Sequence, residues 1–196
     1  MKINYCGYAL IILLLYICMK IYQESDVFNL KCIISGVDGK KYCVRERNKL
    51  ELAADRLATV NVSMNKLVDH CYQTYPDREN VKRLKKGYNP QKIMETLPTS
   101  EYTAYSQNKG EKMAFCLNKE KDGNQLIDVN TLTFVAIHEL SHIATKSIGH
   151  KEEFWSNFKF LLTEANKIGI YKLVDYKKKP ARYCGTDIND NPYYDL

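Results

Sequence analysis

The sequence predicts an α+β domain behind an N-terminal apolar helix. Three observations carry this. A charge-free run spans Ile3–Met19, two hairpin signals follow it, and amphipathic helical stripes lie between and after the hairpins. The chain has 196 residues, enough for one domain with a real core beyond the apolar run. Hydrophobic residues at 45% and charged residues at 27% exclude disorder, collagen and coiled coil as descriptions of the whole chain. Lys and Arg number 29 against 23 Asp and Glu, a net charge of +6. That excess suits acidic partners or anionic lipid and does not by itself indicate nucleic acid.

Residues 1–23 are read as a single-pass membrane anchor and 24–196 as the globular domain, with 24–29 a short linker. As a helix, the run Ile3–Met19 covers roughly 26 Å, a little short of a bilayer core of about 30 Å. Lys20 can snorkel, so Ile21 and Tyr22 extend the span. A cleaved signal peptide is the rival reading, but the flank Ile17-Cys-Met-Lys-Ile-Tyr22 has no small-x-small site. A buried core helix would show a polar face, and this run has none. Lys2 and Lys20 flank it on both sides, so charge does not set the topology. The expected location is a membrane, held by this N-terminal anchor.

Cysteines 6 and 18 fall in the apolar run, leaving Cys32, Cys43, Cys71, Cys116 and Cys184 in the domain. An odd number without a C-x-x-C pair makes a poor disulfide framework and a poor zinc site. They are expected to be small buried hydrophobes, which favours a reducing compartment.

Leu30–Ser35 and Lys41–Glu46 read as strands joined through Gly36-Val-Asp-Gly39. Asn48 opens a helix with Glu51 three residues on, as in a capping box. Its stripe of Leu50, Ala53, Leu57, Val60, Met64, Leu67 and Cys71 ends before Pro76. Asp77 caps a short helix closed by Gly87, whose run Lys82–Lys86 is read as a solvated face. Residues 89–100 read as loop. Tyr102–Gln107 and Glu111–Leu117 form the second hairpin around Asn108-Lys-Gly110. Asp128 or Asn130 caps a helix reaching about Ser147, and Gly149 ends it. The last helix runs from about Lys151 to Lys167, with Phe154, Trp155, Phe158, Leu161, Leu162 and Ala165 inward and Gly169 as its stop. The tail from Val174 to Leu196 reads as packed coil.

The chemistry sits in His138-Glu-Leu-Ser-His142. Residues four apart share a helix face, so both imidazoles can point at one metal. Glu139 stands one step round, where it can reach a water on that metal without being a ligand. Catalytic zinc takes three protein ligands and keeps one position open. His150 follows the helix stop at Gly149 and can swing back as the third ligand; His70, on the first long helix, is read as a boundary residue. Histidine ligands favour zinc over calcium or magnesium, which prefer oxygen.

His138-Glu-Leu-Ser-His142, then His150, then Phe154-Trp155, resembles the signature of the WLM-domain metallopeptidases, neighbours of the SprT-like zincins. The stretches Tyr105–Leu117, Gly149–Leu161, Ile168–Tyr171 and Tyr183–Gly185 are similar to WLM-like proteins of large DNA viruses. The resemblance covers roughly residues 30–192 and, with the anchor, implies a host or virion membrane as the location. It implies a minimal zincin-like domain, with a small sheet packed on the active-site helix. It implies zinc on His138, His142 and His150, Glu139 as catalytic base, and a sheet edge beside the helix. The chain departs from the crosslink-repair members in its apparent anchor and in lacking their partner-binding tail.

The expected function is therefore zinc-dependent hydrolysis of a protein or peptide substrate by a metal-activated water with Glu139 as general base. Tyr105 is a candidate oxyanion donor beside its plainer role as a packing tyrosine. The Tyr102–Leu117 hairpin can present an edge for a substrate strand. Two rivals remain: a membrane-tethered zinc-binding interaction module without activity, and a DNA–protein crosslink protease using Lys82–Lys86 and Lys177–Arg182. Nucleic acid is not the expected partner, and the sequence sets no oligomeric state.

Overall fold

The computed structural model describes residues 5–25 and 29–195. The Lys2 flank, linker residues 26–28 and the last tail residue lie outside the described residues. Helix α1, Tyr5–Glu24, is apolar and exposed along its length, and Tyr5–Gln23 is long enough to cross a membrane. It runs past Met19 and carries Lys20 within its last turns, longer than the charge-free run alone. Asn29 closes it, its Nδ2 donating to the carbonyls of Tyr22, Gln23 and Ser25 at 3.0–3.1 Å. Those are carbonyls that a helix end leaves without internal partners.

Strands β1, Leu30–Ile34, and β2, Lys41–Arg45, pair antiparallel as expected, with Cys32 opposite Cys43. Those two cysteines form a disulfide, and Cys116 and Cys184 form a second. This corrects the expectation of unpaired, merely buried thiols. Cross-strand register and tertiary packing make the pairs, and neither is visible in cysteine spacing. Only Cys71 remains as a free thiol in the described part of the domain; it is buried. The argument for a reducing compartment falls with that correction.

Helix α2, Leu50–Thr74, buries the predicted stripe, from Ala53 through Leu57, Val60, Met64 and Leu67 to Cys71. Its N-cap is Lys49 without a side-chain bond, so the Asn48 capping box does not form. Helix α3, Glu79–Gly87, is capped at Arg78 rather than Asp77. Strand β3, Ile93–Glu95, lies where the sequence reads as loop, parallel to β2 and to β5. Three residues are too few to show alternation. Strands β4, Ala104–Gln107, and β5, Lys112–Phe115, form the second hairpin. The five strands run in the order β1-β2-β3-β5-β4, which puts β4 on an edge.

Helix α4, Val129–Ala144, is capped by Asp128, whose carboxylate accepts from the Thr131 N–H at 2.9 Å. Asn130, the other cap candidate, instead bonds the Lys172 backbone at both its amide atoms. The helix stops at Thr145, short of Ser147. Its orphan carbonyls are taken by long cations: Arg83 Nε donates to Ala144 O at 2.8 Å and Lys109 Nζ to Thr145 O at 2.8 Å. Positive charge at a helix C-terminus also interacts favourably with the negative end of the helix dipole. Helix α5, Glu152–Lys167, packs Phe154, Phe158, Leu161, Leu162 and Ala165 inward. Trp155 is 42% exposed instead of inward.

Helix α4 packs against α2, α3 and α5 and touches β4. The tail is not all coil. It contains the hairpin β6, Ala181–Tyr183, with β7, Thr186–Ile188, and a 3-10 turn at Pro192–Tyr194. The Cys184 N–H donates to Asn118 O at 3.0 Å and Tyr183 OH to Thr103 O at 3.0 Å, so this hairpin clamps the strands that flank the site. Chain-distant bonds of this kind leave no local signal. The domain is thus mixed α+β, as the hairpin and helix signals predict.

Candidate metal centre

On α4, the faces carrying Leu132, Ala136, Leu140 and Ile143 are buried, which turns His138 and His142 together toward a cleft. The chain then reverses through Ser147–Gly149, with Gly149 in the left-handed region at φ 81°. Glu153, in the first turn of α5, shapes this reversal. Its carboxylate accepts from the N–H groups of Lys146 and Ser147 at 3.0 and 3.1 Å and from Arg83 Nη2 at 3.2 Å. His150 follows, its carbonyl held by Trp155 Nε1 at 3.1 Å. The Phe154 ring lies beneath all three imidazoles, with centroids 4.9, 4.4 and 4.5 Å from His138, His142 and His150.

The three Nε2 atoms meet. His150 Nε2 lies 3.2 Å from His138 Nε2 and 3.1 Å from His142 Nε2. A tetrahedral zinc with Zn–N bonds of about 2.0–2.1 Å has N–N edges of roughly 3.3–3.4 Å. The observed edges are close to that face, and the donors are of the type zinc takes. Among the described residues this is the one group of three or more candidate ligands that converges. Burial, then the neighbouring imidazoles, pushes the proton affinity of His138 down to about 3. Burial, then His150 and Lys109, pushes His142 down to about 4. Both rings are therefore neutral near pH 7 and have lone pairs to offer a cation.

Glu139 is buried beside them, and burial alone pushes its carboxyl up to about 7. It and the three histidines line a cleft of about 540 Å³. The far wall is β4 with the hairpin tip, including Tyr105, Ser106 and Lys109. The Thr103 carbonyl accepts from the Cys116 N–H at 2.8 Å. By antiparallel alternation the backbone groups of residues 103, 105 and 107 face β5, and those of Ala104 and Ser106 point out along the free edge.

All four residues of the His-Glu-x-x-His motif and its third histidine thus come together, and Tyr105 joins them from across the cleft. His70 does not. It pairs with Glu164 at 2.9 Å, where Tyr75 OH and Lys167 Nζ also meet the carboxylate. Arg83, Lys109 and Glu153, which hold the α4 end and the turn, carried no sequence signal: Arg83 and Lys109 meet carbonyls far along the chain, and Glu153 meets N–H groups of an irregular turn that no local pattern announces. The two basic runs are largely committed to ion pairs. Lys82 meets Glu79, Lys85 meets Asp69, Lys177 meets Asp190 and Asp195, and Arg182 meets Glu120 and Asp187.

Fold and cluster define a class: an α+β protein with three converging histidines, two on one helix and the third on the turn that follows, beside a sheet edge. The chain is 30% identical over 192 residues to uncharacterized protein R325 of Acanthamoeba polyphaga mimivirus, covering 93% of this chain and 92% of that one. It is 34% identical over 70 residues to uncharacterized protein 136R of Invertebrate iridescent virus 6, covering 35% of this chain and 38% of that protein. It is 32% identical over 99 residues to uncharacterized protein 042R of Invertebrate iridescent virus 3, covering 50% and 55%. The chain belongs to the viral protein family of R325. No protein-family model and no solved structure matches it.

Proposed function

We propose that this protein is a zinc peptidase of the zincin type, akin to the WLM peptidases and anchored in a membrane by α1. One observation carries the reading: three imidazoles converge on a single point beside a buried carboxyl in an open cleft. Kinship with the WLM peptidases rests on the motif residues. His138, His142 and His150 would hold the zinc, which when bound supplies an electrophile for the scissile carbonyl and acidifies water toward neutrality.

The chain's own groups do the rest. Glu139 takes a proton from the attacking water and returns it to the leaving amine. A carboxyl pushed up to about 7 in the metal-free protein suits both transfers, since a base works best when its proton affinity lies near the operating pH. Ala104 and Ser106 offer backbone groups along the β4 edge, where an extended peptide can pair and lie across the histidines. The Tyr105 hydroxyl, on the opposite wall, is the candidate donor to the developing oxyanion.

A purely structural zinc would call for a fourth protein ligand, and three gather here among the described residues. A DNA-bound substrate would call for free cations, and the basic runs are largely paired within the chain.

The test compares neighbouring residues. Glu139→Gln should retain about one zinc per chain while Glu139-dependent hydrolysis of a peptide library falls by at least ~100-fold, the scale of losing a general base. His142→Ala should lose the zinc. If Glu139→Gln loses zinc as readily, the carboxylate is a ligand and the mechanism fails. If it keeps full activity, the base lies elsewhere.

A further inference from the structure

A second cavity, of about 770 Å³, opens directly beside the metal cleft. The two share Tyr102, Tyr105 and Ser106, so they adjoin along β4 and together give a path beside its edge. The far end of this path is lined by Lys20 and Gln23, the last turns of α1. The domain is bound to that helix end at two points. Thr99 Oγ1 donates to the Gln23 carbonyl at 3.2 Å, and Asn29 closes the helix within a few residues of β1. The connection is too short and too well bonded for the domain to stand far off a membrane in which α1 is embedded.

We infer that the substrates are extended segments of other membrane proteins immediately outside the bilayer, threaded from the α1 end along β4 to the histidines. This rests on the peptidase and anchor readings above and names the substrate class for the same site. The groove walls fit a peptide in that position. Leu97, Tyr102 and Tyr105 offer apolar contact, Thr99 and Ser100 offer hydroxyls, and the edge carries the unpaired backbone groups of Ala104 and Ser106. Tyr102 is 66% exposed at the junction of the two cavities, where a substrate side chain would cover it. Residues 99–107 flank the path. At about 3.3 Å per residue that is at most about 30 Å of extended peptide, so scissile bonds should fall within about ten residues of the substrate's own span.

The experiment uses the full chain, loaded with zinc and reconstituted in phosphatidylcholine vesicles. The probe is a single-pass protein carrying a randomised ten-residue linker, placed either directly beside its span or about fifty residues away. Free peptides of the same library are a third arm. Glu139-dependent cleavage should be at least ~10-fold faster for the adjacent linker than for the distant one. Ser100→Trp, which fills the outer groove away from the histidines, should abolish that preference while the chain still binds about one zinc, as a folded three-histidine site does. In Glu139→Gln, a photo-crosslinker at position 100 should capture the adjacent linker and not the distant one. Equal cleavage of both linkers, or a preference untouched by Ser100→Trp, overturns the inference while the peptidase reading stands. Absence of Glu139-dependent cleavage in all three arms overturns the peptidase reading itself, and the inference with it.

Discussion

Gly110 and Gly87 meet backbone to backbone: a Cβ on Gly110 would stand 2.5 Å from the Gly87 carbonyl oxygen and 2.7 Å from Ile143 Cδ1. This approach brings the hairpin tip onto the end of α4, where Lys109 Nζ reaches the carbonyls of His142 and Thr145. Gly110 also sits at φ 104°, outside the range an L-residue adopts without strain. Gly110→Ala should therefore cost about 2–4 kcal/mol, combining backbone strain with overpacking. Urea denaturation of the metal-free protein measures it, and a cost below about 0.5 kcal/mol would show that the two segments part easily.

Ligand assignment is checked by stoichiometry. His150→Ala should drop bound zinc well below one per chain, because two imidazoles bind weakly. His70→Ala should leave zinc content unchanged, since that ring is occupied with Glu164. Full occupancy in His150→Ala would remove His150 from the site.

Metal-free stability should vary with pH in two opposed ways. His138 and His142 have proton affinities lowered to about 3 and 4 in the folded state, against about 6.5 unfolded. The unfolded chain binds more protons in that window, so stability is lost as pH falls from about 6.5 toward 4. Glu139 acts in the other direction. Raised to about 7 when folded, it withdraws stability as pH climbs from about 4.5 through 7. Metal-free Glu139→Gln should thus melt progressively higher than wild type over that rise. Melting curves from pH 4 to 8 test both arms, and parallel profiles for the two proteins would contradict the burial of Glu139.

The disulfides should be unequal. Cys116–Cys184 closes a separation of 68 residues and Cys32–Cys43 one of 11. Loop-closure entropy assigns about 4 kcal/mol to the first and about 3 kcal/mol to the second. Cys184→Ser should also loosen the β6–β7 clamp over Asn118 and Thr103. Hydrogen exchange in residues 103–119 should rise in Cys184→Ser and not in Cys43→Ser.

For the anchor, full-length protein expressed in cells should stay with membranes through an alkaline carbonate wash, and peptides from residues 5–20 should be recovered. A soluble form beginning near residue 20 would make α1 a cleaved signal instead.

Local pattern determined much of this protein. The charge-free run, the stripe on α2 and the hairpin around Asn108-Lys-Gly110 are periodicities or turn chemistries written in adjacent residues. The four-residue spacing of His138 and His142 also determines that the two rings share a face, because helical geometry is local. His150 is legible for the same reason, since Gly149 forces the reversal that brings it back. What only the tertiary structure decided depends on partners distant in the chain. Strand β3 exists because β2 and β5 flank it, and three residues cannot announce that alone. The cysteines pair because register and the tail hairpin bring them together. Trp155 faces outward because it holds the His150 carbonyl instead of the core. Lys109, Arg83 and Glu153 became supports of the site only when folding placed them against the carbonyls at the end of α4 and the N–H groups of the turn. The path from the α1 end to the histidines belongs to the same category, since its walls come from residues some eighty positions apart that only the folded chain sets side by side.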